Sequence, residues 1–147
     1  MITALVVGGG SIGKRHLRNL LATGRSAAVV ETREDRRAEI AAKHPGARIF
    51  KSLPEALAAE RYQAGFICLP TAYHLEPAAA LARAGAHIFM EKPVSHTVDG
   101  IPELLAAVEH QGLTGMTGFC MRFFKPLQHA KALIDAGRIG RVVTARS

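Results

Sequence analysis

Residues 8–13 read Gly8-Gly9-Gly10-Ser11-Ile12-Gly13, and their flanks restrict the fold more than any other stretch of the chain. An aliphatic run, Ile2 to Val7, leads into them. A helical pattern over 12–23 follows, with Ile12, Leu17, Leu20 and Leu21 on one side and Gly24 as its stop. The spacing fits G-x-G-x-x-G, a weak signal alone and a strong one between a strand and a helix. Gly8 makes the tight turn, Gly10 leaves the backbone bare, and Gly13 lets the helix lie close to the strand. The amino end of that helix, at Ser11 and Ile12, then faces phosphate groups with its free amides and its dipole. A glycine-rich turn with no ligand uses the same residues, so the next strand has to decide.

That strand, 27–30, ends at Glu31. A carboxylate there, roughly 20 residues past the loop, accepts hydrogen bonds from ribose hydroxyls and repels a 2′-phosphate. The first thirty residues therefore read as a dinucleotide-binding βαβ unit, with NAD favoured. Thr32 and Arg33 follow in the same loop. Arg33, with Arg36 and Arg37 behind it, suits a 2′-phosphate, so NADP stays open.

The rest of the chain keeps alternating. Helices are expected over 34–43, 53–60, 73–84, 97–110 and 124–136, and strands over 47–50, 64–69, 87–90, 113–118 and 139–147. Ser52-Leu53-Pro54-Glu55 is a capping box with proline at the first helical position. The strands are short, aliphatic and non-alternating, as strands covered on both faces are. Strict β–α alternation with right-handed crossovers gives an α/β fold: a doubly wound (Rossmann) parallel sheet of about six strands, helices on both faces.

Composition agrees. The chain has 147 residues, 48% of them hydrophobic, only 5% aromatic, with no Trp. That supports one domain with an aliphatic core. The net charge of +7 raises nucleic acid as a partner. However, the basic residues are scattered over several segments with no interleaved aromatics, so no nucleic-acid partner is expected. Cys68 and Cys120 stand apart in apolar stretches and read as reduced thiols of a cytoplasmic protein, with no metal site. The chain opens directly on a strand pattern, so no leader is expected, and no apolar run approaches ~20 residues, so no membrane span.

A second segment carries chemistry. Glu91-Lys92-Pro93 follows the strand 87–90, where an open parallel sheet binds its ligands. A lysine there donates to a substrate hydroxyl or carbonyl, and Pro93 raises the chance of a cis peptide. The order of 6–13, then Cys68-Leu69-Pro70-Thr71-Ala72-Tyr73-His74, then Met90-Glu91-Lys92-Pro93, then 118–126 and 137–142, resembles the glucose–fructose oxidoreductase/inositol dehydrogenase (Gfo/Idh/MocA) family. The resemblance runs from residue 2 to the end.

It implies an oxidoreductase moving hydride between a nicotinamide cofactor and a sugar, polyol or related hydroxyl-bearing substrate. Lys92 would contact the reacting hydroxyl and the nicotinamide ribose, and Glu91 would help hold the cofactor. Leu69, Pro70, Thr71 and His74 would lie along the nicotinamide half, and Arg122 matches the family pattern. Leu69 and Thr71 replace the usual Thr and Asn, and Cys120 and Met121 also depart from the pattern. His74 reads either as ligand-facing or as a helix-start residue capping backbone groups, the structural role being preferred, and His16 reads as packing or surface. The resemblance divides the chain into a dinucleotide domain, 1–120, and a connecting helix and first strand of a substrate domain, 121–147. It implies that the chain is a fragment, inactive or poorly active alone, of a homo-oligomeric protein, with a natural short protein that has lost the substrate domain as the other reading. A non-catalytic dinucleotide-binding or redox-sensing module is the alternative.

Overall fold

Residues 3–146 are described by a computed structural model. The start of the first expected strand at Ile2 and the end of the last at Ser147 lie outside the described residues. The elements alternate: β1 (Thr3–Val7), α1 (Ser11–Ala22), β2 (Ser26–Val30), α2 (Glu34–Lys43), β3 (Arg48–Phe50), α3 (Leu53–Ala59), β4 (Ala64–Ile67), α4 (Leu75–Arg83), β5 (His87–Met90), α5 (Ile101–His110), β6 (Gly115–Thr117) and α6 (Lys125–Asp135). Short 3₁₀ turns at Thr71–Tyr73 and Cys120–Phe123 precede α4 and α6.

The six strands form one parallel sheet in the order β3-β2-β1-β4-β5-β6. The order reverses between β1 and β4, and at that point the loops leaving the two strands diverge and open a crevice. Alternate residues of each strand enter two separate cores. Val6, Ala27 and Val29 pack with Leu17 of α1 and Ile40 of α2. Leu5, Val7, Ala28, Val30, Ile88 and Met90 pack with Ala56, Ala78, Leu81, Ala82 and Leu104 of α3, α4 and α5. The small residues bring backbone close to side chain. A Cβ on Gly65 of β4 would stand 2.5 Å from Leu81 Cδ1.

Local signals close the elements. Ser52 Oγ accepts from the Glu55 amide (3.3 Å), and Glu55 Oε2 accepts from the Lys51 amide (2.8 Å), one residue before the position a capping box usually serves. The 73–84 helix resolves into the 3₁₀ turn and α4. The 97–110 helix begins only at Ile101, because Gly100 stands at φ +80° and breaks the run before it. No strand forms at 139–146 among the described residues. Gly137 and Gly140 turn the chain at positive φ, and a strand needs a neighbour for its amides and carbonyls. The helix α6 buries none of its residues. Among the described residues, no helix is long and apolar enough to cross a membrane.

The Gly65–Leu81 contact gives a test of this packing. Leu81→Ala is expected to lower stability by ~2–5 kcal/mol in urea unfolding. Gly65→Ala is expected to destabilise the parent chain, yet to be neutral or stabilising in the Leu81→Ala background, where its methyl enters the vacated volume. Equal effects in both backgrounds would refute the contact.

Candidate functional site

The glycine loop joins β1 to α1 at the crevice. Gly8 has φ +103°, and a Cβ there would stand 2.8 Å from the Cys68 carbonyl oxygen. A Cβ on Gly13 would run into the Gly8 carbonyl, so the first turn of α1 rests on the loop it leaves. Gly9, an unassigned position in the fingerprint, is just as confined: its Cβ would meet Ile40 Cδ1 at 2.7 Å and Glu31 Oε2 at 2.9 Å. Gly10 differs, with nothing within 4 Å of a Cβ. It is the N-cap of α1 and supplies no side-chain cap, and the first turn holds no acid. Helices α2 to α5 each carry one there: Glu34 and Asp35, Glu55, Glu76, Glu103. The amides at the start of α1 thus face the crevice with the positive end of the dipole and no acidic side chain in their own turn.

Beyond β2 the chain ties itself to that loop. Glu31 is buried, 5% exposed. Its Oε2 accepts from the Gly9 amide (3.0 Å) and its Oε1 from the Arg33 amide (2.9 Å). Arg36 Nη1 is 3.7 Å from the same carboxylate. Arg33 turns to Asp35 in a two-pronged pair, Nε–Oδ1 3.1 Å and Nη2–Oδ2 2.6 Å. That pair holds the Asp35 carboxyl down at about 2 and raises the guanidinium further above its ordinary range. Arg37 donates to the carbonyls of Glu31 (3.0 Å) and Thr32.

On the other side of the crevice, β4 leads into Leu69, Pro70 and the 3₁₀ turn at Thr71. His74 is 1% exposed and does not face the crevice. Its Nε2 lies 2.7 Å from the Leu69 carbonyl oxygen and its Nδ1 3.0 Å from that of Pro93. Of its two sequence readings, the geometry gives the backbone-holding one: the ring pins the β4 exit to the Glu91-Lys92-Pro93 turn. That turn follows β5, and its Lys92–Pro93 peptide is cis. Lys92 is exposed and lines a hollow of about 260 Å³ with Gly118, Phe119, Cys120, Met121 and Arg122. Glu91 points the other way, to His16 of α1, with Nε2–H donating to Oε1 at 2.8 Å.

The main cleft, about 670 Å³, runs over the exits of β1, β2 and β4. Gly8, Gly10, Ser11, Ile12, Glu31, Thr32, Arg33, Leu69 and Pro70 line it. Lys92 and Arg122 share the separate hollow at the β5 and β6 exits, and Glu91 and His74 are turned into the structure. Arg36, noted behind Arg33, also lines the cleft, and sequence reasoning missed Ser52, Leu53 and Tyr73, which line it too. Ser52 and Leu53 follow β3, and the general rule that every strand exit borders the crevice would have found them. Tyr73, 64% exposed, had no such signal. Among the described residues no group of three or more His, Cys, Asp or Glu is placed to hold a metal.

Residues 2–119 match the profile of one family, Gfo/Idh/MocA, described as an oxidoreductase family with an NAD-binding Rossmann fold. The uncharacterized oxidoreductase YrbE of Bacillus subtilis is 34% identical over 137 residues, covering 92% of this chain and 40% of that protein. A myo-inositol 2-dehydrogenase of Thermotoga maritima is 29% identical over 138 residues, 92% of this chain and 41% of that one. The crystal structure of scyllo-inositol dehydrogenase from Lactobacillus casei, with bound NAD(H) and scyllo-inositol, matches with a TM-score of 0.84 at 28% identity. That match covers 95% of this chain and 42% of the other. The chain spans about two fifths of the length of these relatives.

The two thiols offer a direct check on the cleft floor. Cys68 is buried beneath the loop and Cys120 is exposed. Burial, with the nearby Glu91 charge second, pushes the Cys68 thiol up to about 12, so little thiolate exists at pH 8. A disulfide-exchange reagent at that pH is expected to titrate one thiol quickly and the second only after denaturation. Two fast equivalents would overturn this placement.

Proposed function

This chain belongs to the Gfo/Idh/MocA oxidoreductase family and carries its NAD-binding Rossmann domain, and we propose that its glycine loop, β2 exit and Glu91-Lys92-Pro93 turn form the cofactor site of an enzyme acting on a hydroxyl of a sugar, polyol or related substrate. One observation carries the reading. The uncapped start of α1 opens on the cleft beside Gly10, where a Cβ meets nothing, on the same sheet edge from which Lys92 projects. Bare backbone next to unpaired amides suits a pyrophosphate.

In this reading the backbone of Gly8, Gly10, Ser11, Ile12 and Gly13 receives the phosphates. Glu31 and Thr32 border the adenosine ribose. The Glu31 oxygens each keep a lone pair after serving Gly9 and Arg33, and that suits ribose hydroxyls. Its fixed negative charge opposes a 2′-phosphate, and Asp35 occupies the guanidinium of Arg33 that would otherwise attract one. NAD is therefore the preferred partner. Leu69, Pro70 and Thr71 border the nicotinamide half, with Glu91 and His74 supporting it from below and Arg122 across the second hollow. The nicotinamide, when bound, supplies hydride acceptance or donation. Lys92 is the catalytic residue of this chain: its Nζ holds the substrate hydroxyl and moves a proton at that oxygen.

Residues 1–120 make the dinucleotide domain, and 121–147 lead into a second, substrate-binding one. The support is surface chemistry. Phe123, Phe124, Leu127 and Val143 are 64%, 50%, 46% and 82% exposed, an apolar stretch that suits cover by further structure. The substrate names of the relatives, myo-inositol and scyllo-inositol, fit the polyol class. The chain alone would then bind cofactor and turn over poorly.

A calorimetric titration tests the site. NADH is expected to bind, and NADPH about tenfold more weakly or worse, since a like-charge encounter is worth upward of ~1 kcal/mol. Gly10→Val is expected to abolish binding at a cost in stability of no more than ~1–2 kcal/mol, the loss of a favourable N-cap residue, so that the chain stays folded. Undiminished binding by that variant would remove the loop from the site, and tighter NADPH binding would hand the ribose pocket to Arg33. In a longer protein carrying a substrate domain, Lys92→Ala is expected to lower kcat by about 100-fold or more with cofactor affinity nearly unchanged. Equal losses of both would make Lys92 a binding residue only.

A further inference from the structure

His16 stands on α1 one turn past Gly13, and its partner Glu91 comes from the far side of the sheet order reversal. The two side chains are 19% and 17% exposed, and Nε2 and Oε1 are 2.8 Å apart. The imidazole is also fixed in its plane. Its centroid lies 5.5 Å from Phe66 of β4 and 5.0 Å from Phe89 of β5, the latter edge-on, and those two rings are 5.1 Å from each other. Three rings therefore hold one nitrogen against Glu91. The other carboxylate oxygen is confined as well: a Cβ on Gly118 would stand 3.3 Å from Oε2. The Glu91 amide donates to the Ile67 carbonyl (3.0 Å) and the Gly118 amide to Met90 (2.8 Å), so backbone and side chain of Glu91 are both fixed. Lys92 follows directly, and His74 fastens the Pro93 carbonyl on its other side (3.0 Å).

We propose that His16 is a positioning residue: through Glu91 it locks the helix that opens on the phosphate cleft to the turn that carries Lys92. The proposal rests on the cofactor reading above and deepens it. A dinucleotide lying across the order reversal contacts α1 with its pyrophosphate and the β4–β5 side with its nicotinamide half. The His16–Glu91 bond joins those two sides. It sets the separation of the two half-sites, so it acts on a ligand that spans both and leaves one confined to the adenosine side untouched.

NADH and ADP, titrated against this chain, separate these cases. ADP carries the adenosine and two phosphates without the second ribose and ring. His16→Leu is expected to weaken NADH about tenfold (~1.4 kcal/mol) and ADP by less than about twofold. His16→Gln, whose amide can donate to the carboxylate, is expected to recover most of the loss. Glu91→Leu removes the acceptor from the other end of the bond and leaves the three-ring stack in place, so it carries the test if His16→Leu does not fold. It is expected to give the same selective loss, and adding His16→Leu to it is expected to have little further effect. Equal weakening of NADH and ADP, additive losses in the double variant, or unaltered NADH binding would each overturn the positioning role. A parent chain that binds no NADH would instead overturn the cofactor reading itself.

Discussion

The close seating of α1 on the exit of β1 is the constraint on which the rest of the crevice depends. It requires no side chain at Gly13, where a Cβ would strike the Gly8 carbonyl, and a positive φ at Gly8 itself. Given that seat, the amino end of α1 is delivered to the point where the sheet order reverses. The loop is then stiffened by its surroundings: Ile40 of α2 and the Glu31 carboxylate fill the space beside Gly9, and that carboxylate holds the Gly9 amide. A buried acid that accepts two backbone N–H groups is well compensated for its burial. It thereby makes the β2 exit and the phosphate loop one unit.

The far side of the crevice is built by a different device. There the backbone is fastened by histidines, His74 to two carbonyls and His16 to Glu91. Both rings are packed within the structure, and what they present toward solvent is Lys92. Of the acids around the crevice, Glu31 and Glu91 are each tied to a partner within the fold, while Lys92 and Arg122 face outward.

What could be read from the sequence was what depends on neighbours in the chain. The glycine loop, the Ser52 cap, the stop at Gly24, and the strand–helix alternation all rest on local spacing, and the Rossmann fold followed from them. The Gfo/Idh/MocA resemblance rested on ordered motifs, and the family match agrees with it. What was not legible depends on distant residues. His16 read as packing because its partner lies 75 residues on. Gly9 was given no role because Glu31 and Ile40 reach it only in the folded chain. The strand expected at 139–147 had the right residues, but no neighbour pairs with the described part of it. A helix from 97 ignored Gly100, whose positive φ belongs to a turn.

Gly10 is the one loop glycine that the fold itself does not ask for. Its backbone, φ −69° and ψ −171°, is extended and open to any residue. Serine, threonine, aspartate or asparagine there would cap α1, and such an N-cap side chain is worth a few tenths of a kcal/mol over glycine. The chain forgoes that stabilisation at the start of the helix most central to its crevice. A cap would fill the free amides with the protein's own oxygen. Leaving them empty keeps α1 less stable than it need be and its amides available, the stability–function compromise expected where a helix end serves a ligand.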